Sequence, residues 1–398
     1  MTQNKVSITP LALITKLSVI YGSILLLLFD WLSVLELIPA FISLLLRAAI
    51  LGTCLTYIAV TGISFGKYHF KFGTCLGFFI LVNIIYSLFS SSIIDDFYYT
   101  SRILLWTSIT IVVYRLSVFG YLRKNELRNF IYVIILLGAF FTLYYVSRPD
   151  VEAGQNASAY LLVWSLPLAL LCSGNSKLKW VLIGLATLAI ILTVKRGAII
   201  ALGLSGLAYY GYGILVRSSI KNFFSKTLGL ILASAFIALA SLFTLDAFVS
   251  RFSETGGSGR DILFPLIINH WLQADMLTKI TGFGINSVQQ YTGEFFYGAY
   301  SGVSGVYAHS DWLQLIHDFG FFGFLILFWI HVSVLRLIIS GYKMKLEYTP
   351  ALLMCYVVLF LVNIYSGHLF APGAFIFGVS VAYCAAQLRF AEHRNGRV

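Results

Sequence analysis

The residues of this chain best suited to chemistry are a few isolated cations and one histidine. Lys195, Arg196, Arg102, Arg148, Arg251, Arg260 and Lys279 stand apart from the short basic linkers that hold most of the Lys and Arg. Arg47 lies about 14 Å into an apolar segment, at ~1.5 Å of rise per residue. A cation at such depth, or away from the face where its kind gathers, costs free energy and invites a functional reading. A guanidinium group can hold two oxygens of a carboxylate or phosphate at once. His309 adds a side chain that exchanges its proton near neutral pH, and Asp311 follows close behind.

These groups need a frame, and composition says what kind. The 398 residues are 59% hydrophobic and 11% charged, with a mean hydropathy of +0.88. A soluble domain of this length needs far more surface charge. Stretches such as 11–29, 72–90 and 320–340 are long enough to cross roughly 30 Å of hydrocarbon as helices. The alternating pattern of a spanning β-barrel is absent. Cys54, Cys75, Cys172, Cys355 and Cys384 all fall in apolar segments, so no disulfide framework is expected. Residues 1–8 are too short and polar for a cleaved leader, which makes 11–29 the first spanning helix.

The spacing predicts an all-α polytopic membrane protein of about twelve transmembrane helices. The spans are 11–29, 38–63, 73–90, 101–119, 130–147, 157–173, 180–195, 196–216, 227–245, 320–340, 350–369 and 371–389. Residues 31–65 read either as one helix entered at Pro39 or as two short ones split at Arg47. One helix there puts the basic linkers around Lys71, Lys124, Lys179, Lys221 and Lys343 on a single face, with the C-terminal arginines. The positive-inside rule names that face cytoplasmic. The net charge of +11 is then a topology signal, not a sign of nucleic-acid binding. The chain divides into helices 1–9 (1–245), an outer loop that carries the chemistry (246–319), and helices 10–12 with a cytoplasmic tail (320–398).

Within the loop, 261–277 and 306–319 show helical periodicity. In the second, His309, Trp312, Leu313, Ile316, His317 and Gly320 fall on one stripe that runs on into the next spanning helix. Between them, Thr281-Gly282-Phe283-Gly284-Ile285-Asn286 reads as a glycine turn. It has no preceding strand, which excludes a nucleotide-binding fingerprint. Residues 298–305 are small and read as a lid or a linker.

Several of these elements together resemble a known family. Thr193-Val194-Lys195-Arg196-Gly197-Ala198 is similar to a Ser-Arg-Gly helix junction. Arg251-Phe252, Ser258-Gly259-Arg260-Asp261 and Gly282-Phe283-Gly284 follow in the loop. His309-Ser310-Asp311-Trp312-Leu313 and Gly320-Phe321-Phe322-Gly323 close it. In this order they resemble the O-antigen polymerase and O-antigen ligase superfamily of bacterial envelope glycan assembly. The resemblance covers about residues 180–341; Ser310 departs from the asparagine of many members, and Lys195 adds a cation. It implies a GT-C-like fold in the bacterial inner (cytoplasmic) membrane, with both termini cytoplasmic and the loop periplasmic. It implies glycosyl transfer without metal or cofactor, from an undecaprenyl-diphosphate-linked oligosaccharide donor to a lipid-linked acceptor. A chain-length regulator and a flippase are the protein partners it implies; nucleic acid is not one.

On that resemblance Arg196 and Arg260 grip the donor diphosphate and His309 deprotonates the acceptor hydroxyl. Lys195, Arg251, Arg102, Arg148, Arg47 and Asp311 are further substrate-binding candidates. Six of these have a plainer reading beside them. Arg196 and Lys195 could anchor at lipid headgroups, Arg260 could pair with Asp261, and His309 could pack or cap a helix. Arg47 could pair with a carbonyl or carboxylate of another helix, and Asp311 could cap its helix or join Asp318 and His309 as a base. His317 reads as a packing residue. The leading expectation is an O-antigen or related surface-polysaccharide polymerase; the alternatives are an O-antigen ligase acting on lipid A-core and a lipid-linked oligosaccharide flippase.

Overall fold

The computed structural model describes residues 9–62, 71–89, 93–147, 152–172, 177–217, 260–296, 306–367, 369, 371 and 373–394. Every regular element among them is a helix. They run α1 (Pro10–Val34), α2 (Ala40–Thr61), α3 (Lys71–Leu88), α4 (Ile93–Val118), α5 (Lys124–Val146), α6 (Glu152–Cys172) and α7 (Lys177–Leu192). There follow α8 (Arg196–Arg217), α9 (Arg260–Gln273), α10 (Met276–Thr281), α11 (Ser287–Phe296), α12 (Asp311–Lys343), α13 (Thr349–Tyr365) and α14 (Ala374–Arg394).

Among the described residues, seven helices are long and apolar enough to cross a membrane: α1, α2, α3, Tyr99–Val118 of α4, α5, α12 and α14. The protein is a membrane protein of helical spans. Two of the expected spans are short helices. α7 and α13 stop at 16 and 17 residues, roughly 25 Å at ~1.5 Å per residue, short of the hydrocarbon thickness. The anticipated span 227–245 lies outside the described residues. Around Arg47 there is one helix and not two: α2 enters after Pro39 and runs unbroken to Thr61.

α4 and α14 form the middle of the bundle and are its most enclosed spans. They come close because the contact is built from small residues, which replace apolar driving force with tight packing in lipid. A side chain at Gly378 of α14 would overlap the Thr110 hydroxyl of α4. That hydroxyl donates back to Trp106 O at 2.7 Å, and Thr107 does the same to Ile103 O at 2.7 Å, so neither is orphaned. The five cysteines are buried free thiols within helices.

Helix ends meet in two groups. One group holds the end of α3, the start of α4 and the loop helices, joined through Tyr86 to Thr281 O and Tyr99 to Asp318. In the other, Lys124 and Arg128 act on Cys172 at the end of α6, and Lys124 on Lys179 at the start of α7. Two of the basic linkers predicted to share a face, those of Lys124 and Lys179, therefore meet.

The loop differs from its predicted form. The helix expected over 261–277 breaks at Ala274–Asp275, where the Asp275 carboxylate caps α10 by accepting from the Leu277 and Thr278 amides. The helix expected over 306–319 starts only at Asp311. Residues 306–310 are non-helical, and His309 takes a left-handed φ of 51°. Its stripe with Trp312 and Ile316 does not form. Nor does the stripe run smoothly through Gly320, whose φ of 62° breaks α12 into two pieces. Residues 298–305 lie outside the described residues.

Candidate functional site

His309 is half-buried at the bundle end that also holds the starts of α8 and α9. Its unusual backbone is set by Gly367, itself at φ 63°, which lies against the His309–Ser310 peptide. A Cβ at Gly367 would come within 3.1 Å of Ser310 N. Left-handed residues that are not glycine cost about 1–2 kcal/mol and persist where the surroundings dictate them.

Arg260, the first residue of α9, acts electrostatically on His309 and also on Tyr160 of α6 and Tyr365 of α13. Its guanidinium Nε is buried and has no hydrogen-bond partner. Burial first, and then this neighbouring positive charge, pull the His309 imidazole from about 6.5 down to about 4. His309 is therefore neutral at pH 7 and able to accept a proton.

The Arg196 junction reaches the same place. Tyr365 Oη donates to Gly197 O, and a side chain at Gly197 would overlap both Tyr160 and Tyr365. Tyr160 shares side-chain hydrogen bonds with Tyr365 and Ser366. Val194, just before the junction, has a φ of 54°, a real strain for a β-branched residue. Lys195 N donates to Thr193 Oγ1 at 3.3 Å across this turn. Arg196 then opens α8, at the helix end where the macrodipole disfavours a cation and favours an anion. The structure thus gathers Arg260, His309 and the Arg196–Gly197 junction around two tyrosines that sequence reasoning missed.

Asp311 has another occupation. It is fully buried, and its carboxylate accepts from Leu369 N at 3.3 Å. With its amide nitrogen toward this carboxylate, Asn363 donates at 2.6 Å while its oxygen faces His331 Nε2 at 3.1 Å. Ser310 Oγ donates to Asn363 O at 3.1 Å. Asp311 is a latch between α12 and the α13–α14 turn, not a substrate-facing group. Arg47, likewise, is 1% exposed and paired with Asp30 of α1 at 3.1 Å. The plainer expectation for it, a carboxylate on another helix, is the one observed. Arg102 is half-buried in α4 beside Ser101, which accepts from Arg47 at 3.5 Å. Arg148 and Arg251 lie outside the described residues.

A second polar cluster went unforeseen. Asp318 is fully buried and accepts from Tyr99 Oη at 2.7 Å, Gln314 Nε2 at 3.0 Å and Ser287 Oγ at 2.8 Å. Ser287 has one proton and gives it to Asp318, so His317 Nδ1, 2.7 Å from the same oxygen, is the donor there. His317 Nε2 then accepts from His270 Nδ1 at 2.9 Å. His270 is stacked on Tyr291, with ring centroids 3.7 Å apart. This chain of bonds ties α9 and α11 to α12 and α4. Gln314 extends it to the site, accepting from Ala308 N at 3.1 Å, one residue before His309. Sequence alone suggests packing for His317 and a partnership with His309 for Asp318. The adjacent acid and imidazole of His317-Asp318 were the available signal.

Compared with known proteins, the chain matches no family description and no curated relative.

Proposed function

We propose that this protein is a membrane glycosyltransferase of the O-antigen or related surface-polysaccharide polymerase type. It moves a growing glycan from undecaprenyl diphosphate to the non-reducing end of a lipid-linked repeat unit. The observation that supports it most is the nearness of Arg260 to His309: a half-buried imidazole that feels an arginine's charge at one end of a membrane bundle.

In this reading the acceptor hydroxyl attacks the anomeric carbon of the donor. The new C–O bond forms as the bond to the diphosphate breaks, and the electron pair leaves with undecaprenyl diphosphate. The hydroxyl proton passes to His309. Arg260 and Arg196 hold the phosphate oxygens, on which charge grows in the transition state. The α8 N-terminus adds its partial positive charge.

An imidazole at about 4 is deprotonated but weakly basic, and a general base works best near the working pH. A bound diphosphate would neutralise Arg260 and remove one of the two causes of the depression. Donor binding therefore raises the basicity of His309 when it is needed. The positive-inside rule puts the Lys124 and Lys179 end in the cytoplasm and this site at the outer surface.

Gel analysis of surface polysaccharide tests the reading. A strain carrying His309→Ala should make single-repeat lipopolysaccharide while the protein still inserts. Full-length ladders from that strain would refute the role of His309, and bare core with accumulated lipid-linked polymer would assign a ligase instead.

A further inference from the structure

The opposite end of the bundle carries a second site that the proposed transfer does not use. A cavity of about 480 Å³ opens between the start of α3, the last turns of α12 and the end of α14. Three cations line it, one from each helix: Lys71, Arg336 and Arg389. Lys71 and Arg336 are exposed, and Arg389 is half-buried in an ion pair with Glu392 at 3.4 Å. Glu392 is the one carboxylate in the lining, so the cavity keeps a net positive charge. Deeper in, Ser333 lines it too, and its hydroxyl is buried without a hydrogen-bond partner. Phe72, Leu337 and Leu388 make much of the remaining wall apolar, with Tyr114 and Ser340 at its polar parts.

Like charges converging from three helices repel one another unless an anion sits among them. A buried serine hydroxyl without a partner is a donor in want of an acceptor. The shape is a cationic rim over an apolar wall, at the bundle end where other basic side chains gather. Basic pockets between spanning helices at that level suit phosphate headgroups.

We infer that this cavity binds a singly charged phosphate group, with the phosphodiester of an anionic phospholipid such as phosphatidylglycerol as its source. Lys71 and Arg336 hold the phosphate, Ser333 donates to it, and an acyl chain lies along Leu337 and Leu388. The site is independent of the glycan chemistry at the other end.

Native mass spectrometry of the full-length protein in detergent tests this. The protein is offered phosphatidylglycerol or phosphatidylcholine with matched acyl chains, or inorganic phosphate. Phosphatidylglycerol should be retained over phosphatidylcholine, and each of Lys71→Gln and Arg336→Gln should cut that preference about fivefold. Both residues are exposed and neither forms the Arg389–Glu392 pair, so the variants should fold. If millimolar phosphate displaces the lipid and binds alone, the anion site stands and its source is soluble phosphate. Equal retention of the two lipids, or an unchanged preference in the double variant, would overturn the site.

Discussion

Gly282 and Gly320 interlock backbone to backbone, each filling the space where the other would carry a side chain. A Cβ on Gly282 would overlap Asp318 O and Gly320 N, and one on Gly320 would overlap Ile280 and Gly282. Both have positive φ, 82° and 62°. Phe283 N and Gly284 N donate across the contact to His317 O and Asp318 O at 2.9 and 3.0 Å. The carbonyls freed by the break in α12 are thereby satisfied, and His317 and Asp318 face the loop helices. Gly282→Ala or Gly320→Ala should each cost about 2–4 kcal/mol, from overpacking and φ strain together. Thermal unfolding in detergent reads this directly. Gly52→Ala and Gly184→Ala, where nothing lies within 4 Å of the new methyl, should be neutral or slightly stabilising.

The Arg47–Asp30 pair gives a prediction that separates structure from substrate binding. Asp30→Ala leaves a buried guanidinium without its carboxylate and should cost about 3–5 kcal/mol. Arg47→Met combined with Asp30→Leu should recover most of that loss, because an apolar pair needs no compensation. Glycan transfer retained in the folded double variant would establish Arg47 as a strut.

His309 gives a pH prediction with a definite sign. The native imidazole is depressed to about 4 against an unfolded value near 6.5. Its contribution to stability is present above 6.5 and is lost as pH falls toward 4, where the unfolded state binds the extra proton. The acid limb of kcat/KM, which reports the free enzyme, should lie near 4. The limb of kcat should lie higher, because bound diphosphate cancels the Arg260 charge. Arg260→Gln should raise the free-enzyme limb without taking it to 6.5, since burial is the larger cause. A limb unmoved by that change would remove Arg260 from the environment of His309.

The Asp318 network should behave as a unit. Tyr99→Phe removes one of its donors and should cost about 1 kcal/mol. Asp318→Ala strands the Tyr99, Gln314 and Ser287 donors together, and should cost about 3–5 kcal/mol. Amide hydrogen exchange should show the loss first in α9 and α11, which the network ties to α12.

The parts of this architecture that local sequence controls were readable in advance. Pro39 marked the entry to α2, the glycines of 281–286 marked the turn, and Lys195-Arg196 marked the junction of α7 and α8. His309 was found as a residue but misread in its setting. Periodicity extended the helix back over it, whereas contact with Gly367, distant in sequence, holds it left-handed. The same reason hides Tyr160, Tyr365 and Asn363, which are apolar-helix residues until the fold joins them. Hydrophobicity does not say where α13 ends; Gly367, at φ 63°, follows its end directly. The Asp318 relay needs His270, Ser287 and His317 from three helices, and no spacing along the chain announces it.

The most direct test of the account is transfer by the purified protein in liposomes, with an undecaprenyl-diphosphate-linked oligosaccharide as both donor and acceptor. Lipid-linked glycans should lengthen, with one undecaprenyl diphosphate released per bond formed, without added metal. His309→Ala and Arg260→Gln should each lower the rate at least about a hundredfold while the proteins remain folded. Elongation at the wild-type rate in His309→Ala, or no release of undecaprenyl diphosphate by the wild type, would contradict it.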